Sequence, residues 1–71
     1  MEKIEIYREP VELYKLLKFE GLASSGGEAK MVIGEGFVTV NGEIETRKRK
    51  KMLSGDVLEF AGKSYRVQLA G

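Results

Sequence analysis

Gly36-Phe37-Val38-Thr39-Val40-Asn41-Gly42-Glu43-Ile44-Glu45-Thr46-Arg47-Lys48-Arg49-Lys50-Lys51 is the stretch around which the chain is organised. Phe37 to Val40 is aromatic and β-branched, which suits a pleated, half-buried strand. Asn41-Gly42 joins two residues that tolerate positive φ and is a strong short-range hairpin signal. Two registers fit it. A two-residue turn places Val40 opposite Glu43 and Val38 opposite Glu45. A three-residue loop, Asn41-Gly42-Glu43 with a bulge at Gly42, places Val40 opposite Ile44. The second keeps apolar residues on one face and is the expected register. The hairpin runs at once into five consecutive cations, Arg47 to Lys51, and no acidic residue falls between Glu45 and Asp56.

Upstream of the hairpin, Ser25-Gly26-Gly27-Glu28 matches the capping box S-x-x-E, with Ser25 accepting from the Glu28 N–H and Glu28 reaching back to the Ser25 N–H. A helix follows from Gly26 to about Glu35, with Ala29, Val32 and Ile33 inward, and Gly36 ends it. Residues 11–20 form an earlier helix, buried along Leu13, Leu16 and Leu17. Pro10 fits its first turn and Gly21 its C-terminal cap. Lys15 and Lys18 lie away from its apolar stripe. Before it, Ile4 and Ile6 alternate with charged residues in a short strand. Downstream, Ser54-Gly55-Asp56 turns the chain into the strand Val57 to Phe60. A final strand, Ser64 to Leu69, puts Tyr65, Val67 and Leu69 on one face. The order β-α-α-β-β-β-β predicts an α+β fold, two helices packed on a small, mainly antiparallel sheet, in a single domain spanning 1–71.

The chain has 71 residues with neither cysteine nor histidine. A domain this small buries only about 60% of its unfolded surface, so its core is thin and holds without staples. Disulfides, thiolate or imidazole metal sites, cysteine nucleophiles and Ser-His-Asp triads are excluded. No metal, cofactor or small-molecule substrate is expected. No apolar run approaches the roughly 20 residues of a membrane span, so no membrane partner is expected. The N-terminal residues lack the apolar core of a signal peptide, and the absence of cysteine suits a reducing compartment; a cytoplasmic, monomeric protein is expected.

Net charge is only +1, but five of the twelve cations fall in the run 47–51. Such a run on an arbitrary surface serves solubility. On an ordered hairpin the charges are held in place, so less entropy is lost on binding a polyanion. Arg47, Lys48, Arg49, Lys50 and Lys51 are therefore candidate phosphate contacts. Arg47 and Arg49 add a planar fork that lysine lacks. The N–H groups of Gly26 and Gly27, opening the second helix, are candidates as well, although Glu28 already brings a negative charge there. Lys15, Lys18 and Lys30 count only if folding places them beside the run. Tyr14 and Phe19 offer aromatic faces but suit core or rim packing. Glu43 and Glu45 sit beside so many cations that charge balance explains them better than acid–base work.

These motifs together resemble the small RNA-binding domain named after ribosomal protein S-four, also called the αL motif. Leu16-Leu17 with Gly21-Leu22-Ala23, then Ser25 and Glu28-Ala29-Lys30, are similar to its two helices and the turn between them. Ile33 and Gly36 to Gly42 resemble its helix-ending glycine, V-x-V and Asn-Gly signature, and Ser54-Gly55-Asp56-Val57-Leu58 its late turn. The resemblance covers a motif core of about residues 10–60, and the short chain looks like the stand-alone bacterial members of the YbcJ and YaaA type. It implies a non-catalytic protein that recognises structured RNA, rRNA-like or tRNA-like, through phosphate and shape, in ribosome or translation-related processes. It implies Lys30 as a backbone contact and adds Asn41 to the candidates. Many relatives carry arginine directly after the serine that opens helix two; Gly26 stands there instead. The alternative is an assembly factor whose basic run docks on an acidic protein surface.

Overall fold

Alternation of Ile4 and Ile6 with charged residues builds β1, Glu2–Ile6, and both isoleucines turn inward. The computed structural model describes residues 1–70. Within them β1 is followed by β2 (Val11–Glu12), α1 (Leu13–Phe19), α2 (Gly26–Gly34), β3 (Val38–Val40), β4 (Glu43–Ile44), β5 (Lys51–Met52), β6 (Val57–Phe60) and β7 (Lys63–Leu69). Five strands form one sheet in the order β1-β7-β6-β3-β4, and β2 pairs with β5 in a separate ladder. Only β1 and β7 run parallel; the other pairs are antiparallel. The expected α+β architecture is present, with β2 and β5 added to the expected order.

The helices cover one face of the sheet. Leu13, Leu16 and Leu17 of α1 and Ala29 and Ile33 of α2 are buried together with Ile4, Ile6, Val38, Val40, Met52, Leu58, Tyr65 and Val67. Among the described residues no polar or charged side chain is buried. Truncating one such leucine to alanine costs about 2–5 kcal/mol. That is a large share of the roughly 5–15 kcal/mol that holds a domain folded.

Three local expectations are corrected. The first helix begins at Leu13 rather than Val11, and Pro10 lies ahead of β2 rather than in a helical turn. Val11 and Glu12 are extended because they pair with Met52 and Lys51. The capping box is shifted by one residue in its return arm. Ser25 Oγ accepts from the Glu28 N–H at 3.1 Å as expected, but the Glu28 carboxylate takes the Ser24 hydroxyl at 2.7 Å and the Ser24 N–H at 3.3 Å.

The third correction is the hairpin register. Val40 lies opposite Glu43 and Thr39 opposite Ile44, so the turn is the two-residue one. Asn41 and Gly42 both have positive φ, 52° and 85°. These values suit a turn whose twist matches the flanking strands. A neighbouring strand fixes the choice. Asn41 Oδ1 accepts from the Val57 N–H at 2.9 Å, Asn41 Nδ2 donates to Asp56 Oδ1 at 3.1 Å, and the Asn41 N–H donates to the Val57 carbonyl at 2.7 Å. These bonds hold the turn against β6 and leave Ile44 68% exposed, at the expense of apolar pairing across the hairpin.

Candidate nucleic-acid interface

The basic run does not project from the hairpin, which ends at Ile44. It crosses to the start of α1. The β2–β5 ladder pairs Glu12 with Lys51, and the contact continues past it: the Leu13 N–H donates to the Lys50 carbonyl at 2.9 Å and the Tyr14 N–H to the Lys48 carbonyl at 3.1 Å. A helix start leaves N–H groups without intrahelical partners. Glu12 supplies no side-chain cap here, so main-chain oxygens of the run serve instead. The carbonyls of Lys48 and Lys50 therefore face α1.

Lys48 also reaches α2. A Cβ added at Gly34 would lie 3.2 Å from Lys48 Cε and 3.8 Å from its Nζ, so the lysine stem passes over the end of the helix where there is no side chain. At the middle of α2, the Lys30 ammonium lies 4.6 Å from the centroid of the Tyr14 ring, and Lys15 Nζ lies 5.9 Å from it. Lys18 follows Tyr14 by four residues, shares its face of α1 and is exposed. Folding thus brings α1, α2 and the run together, with Lys30 and Lys48 as its two fixed points. Gly26 and Gly34 are eight residues apart, which corresponds to about 12 Å along a helix.

The members of the run differ in their surroundings. Arg47 is committed to Glu45: its Nε and Nη2 donate to the two carboxylate oxygens at 3.0 Å each, and its main-chain N–H donates to the same carboxylate at 3.0 Å. The side-chain bond from Arg47, backed by its N–H, pulls the Glu45 carboxyl down to about 2. Among the described residues, Arg49, Lys50 and Lys51 enter no ion pair. Arg49 and Lys51 are exposed and Lys50 is half-buried. Lys15 is shared with Glu12 at 3.5 Å.

Two other candidates have structural employment. Both ends of the Asn41 amide are engaged with Asp56 and Val57. The start of α2, with Gly26 and Gly27, already carries the Glu28 carboxylate, which the Ser24 hydroxyl and N–H hold below its ordinary range. That negative charge opposes a phosphate at the same end. A groove of about 740 Å³ between the end of β1 and α1 is lined by Tyr7, Phe19 and three carboxylates, Glu5, Glu12 and Glu20, which outnumber its two cations, Arg8 and Lys15. It is ill suited to a polyanion, and it does not touch the run.

Sequence reasoning assigned Tyr14 to core or rim packing and passed over Gly34. A glycine inside a helix costs about 1 kcal/mol relative to alanine. Gly34, near the end of α2, was therefore the one available signal that something needed space there.

Lys30, Lys48, Arg49 and Lys50 are hydrogen-bond donors with no acceptor, which suits them to anions. The fold is a small α+β domain with two helices packed on a mainly antiparallel sheet and a basic run joined to the start of the first. Residues 4–68 match the S4 domain, and the chain belongs to that family. It is 53% identical over 57 residues to the "Putative RNA-binding protein YbcJ" of Escherichia coli (strain K12), covering 80% of this chain and 81% of that protein. It is 39% identical over 59 residues to the "Probable ribosome maturation protein RlbA" of Bacillus subtilis (strain 168), covering 83% of each. The solution structure of Escherichia coli YbcJ, described as revealing an αL motif involved in RNA-binding, superposes with a TM-score of 0.72 at 46% identity. That match covers 96% of this chain and 87% of the other.

Proposed function

We propose that this protein is a non-catalytic RNA-binding module that acts as a single copy on structured RNA, rRNA-like or tRNA-like, in ribosome- or translation-related work. Its contacts are to phosphate and to the shape of the helix, with Lys30, Lys48, Arg49 and Lys50 as the principal groups and Lys15, Lys18 and Lys51 at the margin. The observation that carries this reading is the anchoring of the run. Lys48 is bonded through its carbonyl to α1 and lies with its stem against Gly34 of α2, which shares a helix face with Lys30 four residues earlier. Cations fixed in this way lose little freedom on binding and release counterions from the nucleic acid. The names of the YbcJ and RlbA relatives support the same reading.

The test is titration of a labelled RNA hairpin with the protein and with the triple variant Lys48→Gln, Arg49→Gln, Lys50→Gln. The variant keeps every main-chain bond to α1, so its circular-dichroism spectrum is expected to match the parent while affinity falls at least about tenfold. Equal affinity in the folded variant would remove the run from the site.

A further inference from the structure

Tyr14 lies where the two fixed points of the cationic surface meet. Its N–H donates to Lys48 at 3.1 Å. Its half-buried ring has the Lys30 ammonium 4.6 Å from its centroid, inside the roughly 6 Å over which a ring face attracts a cation. Lys15 is at the limit of that range, at 5.9 Å, and divides its charge with Glu12. Gly26 leaves space beside the ring on the α2 side: a Cβ there would meet Cε2 at 3.8 Å and Cδ2 at 3.9 Å. The ring thus faces α2 across a position with no side chain and has one principal cation.

A free lysine side chain has a large rotamer entropy to lose when it meets a ligand. A ring face restrains the ammonium without using a hydrogen-bond acceptor, so its three N–H donors stay available to phosphate oxygens. Resting on the RNA-binding reading, we propose that Tyr14 is a positioning residue of the surface. Its ring sets the Lys30 ammonium for a phosphate, while its main chain sets Lys48. The backbone bond survives any side-chain substitution, so variants at Tyr14 report on the ring alone.

Two measurements test this. In the NMR spectrum of the protein without RNA, ring current moves the ε-methylene protons of Lys30 upfield of those of exposed Lys51; this is read on the unaltered protein and needs no variant to fold. Against an RNA hairpin, Tyr14→Phe keeps the ring and binds like the parent. Tyr14→Leu keeps apolar volume but weakens binding by about two- to fivefold, the value of an exposed cation–ring contact. In a Lys30→Ala background Tyr14→Leu costs nothing more. Absence of the upfield shift overturns the proposal. So does an undiminished loss from Tyr14→Leu in the Lys30→Ala background, which would make the ring a stacking platform for a base. Normal binding by a folded Tyr14→Leu overturns the proposal and leaves the RNA reading intact. Failure of the unaltered protein to bind any structured RNA overturns both.

Discussion

Glu45 holds Arg47 with both carboxylate oxygens, at 3.0 Å each, and takes the Arg47 main-chain N–H as well. The first cation of the run is therefore already paired, and the positive field of the surface begins in effect at Lys48.

Arg47→Ala is accordingly expected to weaken RNA binding less than Lys48→Ala or Arg49→Ala does. Glu45→Gln is expected to tighten it by about two- to fivefold, because it removes a negative charge and frees a fork suited to phosphate. Titration of one RNA hairpin with the four variants checks the order. Weaker binding by Glu45→Gln would show that the pair itself shapes the site.

The same pair predicts a pH dependence. The Glu45 carboxyl is lowered from 4.5 to about 2 in the folded chain, chiefly by the Arg47 side-chain bond. A carboxyl depressed by folding contributes fully above its unfolded value, and that contribution is lost as pH falls through the folded one. The pair's share of stability is then intact at neutral pH and disappears between about 4.5 and 2. Arg47 is 72% exposed, so solvent screens the pair and the share is small. Urea unfolding of the protein and of Arg47→Ala should differ at pH 7 and converge near pH 2. A constant gap across that range would locate the loss elsewhere.

Gly26 has room for a side chain, since a Cβ there makes only ordinary contact with Tyr14. Gly26→Arg restores the residue that many S4-type domains carry after the opening serine. It places a guanidinium next to Lys30, so affinity for an RNA hairpin should rise about fivefold, with one more phosphate contact in the salt dependence. Unchanged affinity in the folded variant would mean that RNA does not reach the start of α2.

Asn41 should matter to stability and not to RNA. Asn41→Ala removes two side-chain hydrogen bonds and forces a Cβ residue without local polar support into the left-handed region. Together these cost about 2 kcal/mol. Asn41→Gly keeps the turn geometry and should recover part of that loss. Thermal melts give the order, and RNA titration of the folded variants should show parental affinity.

Local signals carried most of the fold. The Leu13, Leu16, Leu17 stripe, the Ser25 cap and the Asn41-Gly42 turn are each written within a few residues, and each is present. What could not be read depends on contacts between distant parts. The β2–β5 ladder has two residues per strand, too few for any periodicity, yet it sets where α1 begins and draws the basic run across to it. The hairpin register follows from Asp56 and Val57 holding Asn41, not from the apolar pattern of the hairpin itself. The run was visible as charge, but its division was not. Arg47 faces Glu45, Lys48 crosses Gly34, and Tyr14 joins Lys48 to Lys30 only once the two helices are packed.

The central claim is that Lys30, Lys48, Arg49 and Lys50 neutralise RNA phosphates as one surface. The most direct measurement is the dependence of log K for a structured RNA on log salt concentration, for the protein and for Lys30→Gln and Lys48→Gln. Four phosphate contacts predict a slope between about −2.8 for single-stranded and −3.6 for duplex contacts, with a reduction of about 0.7 to 0.9 in each variant. A slope near zero, or one that neither substitution changes, would contradict the account.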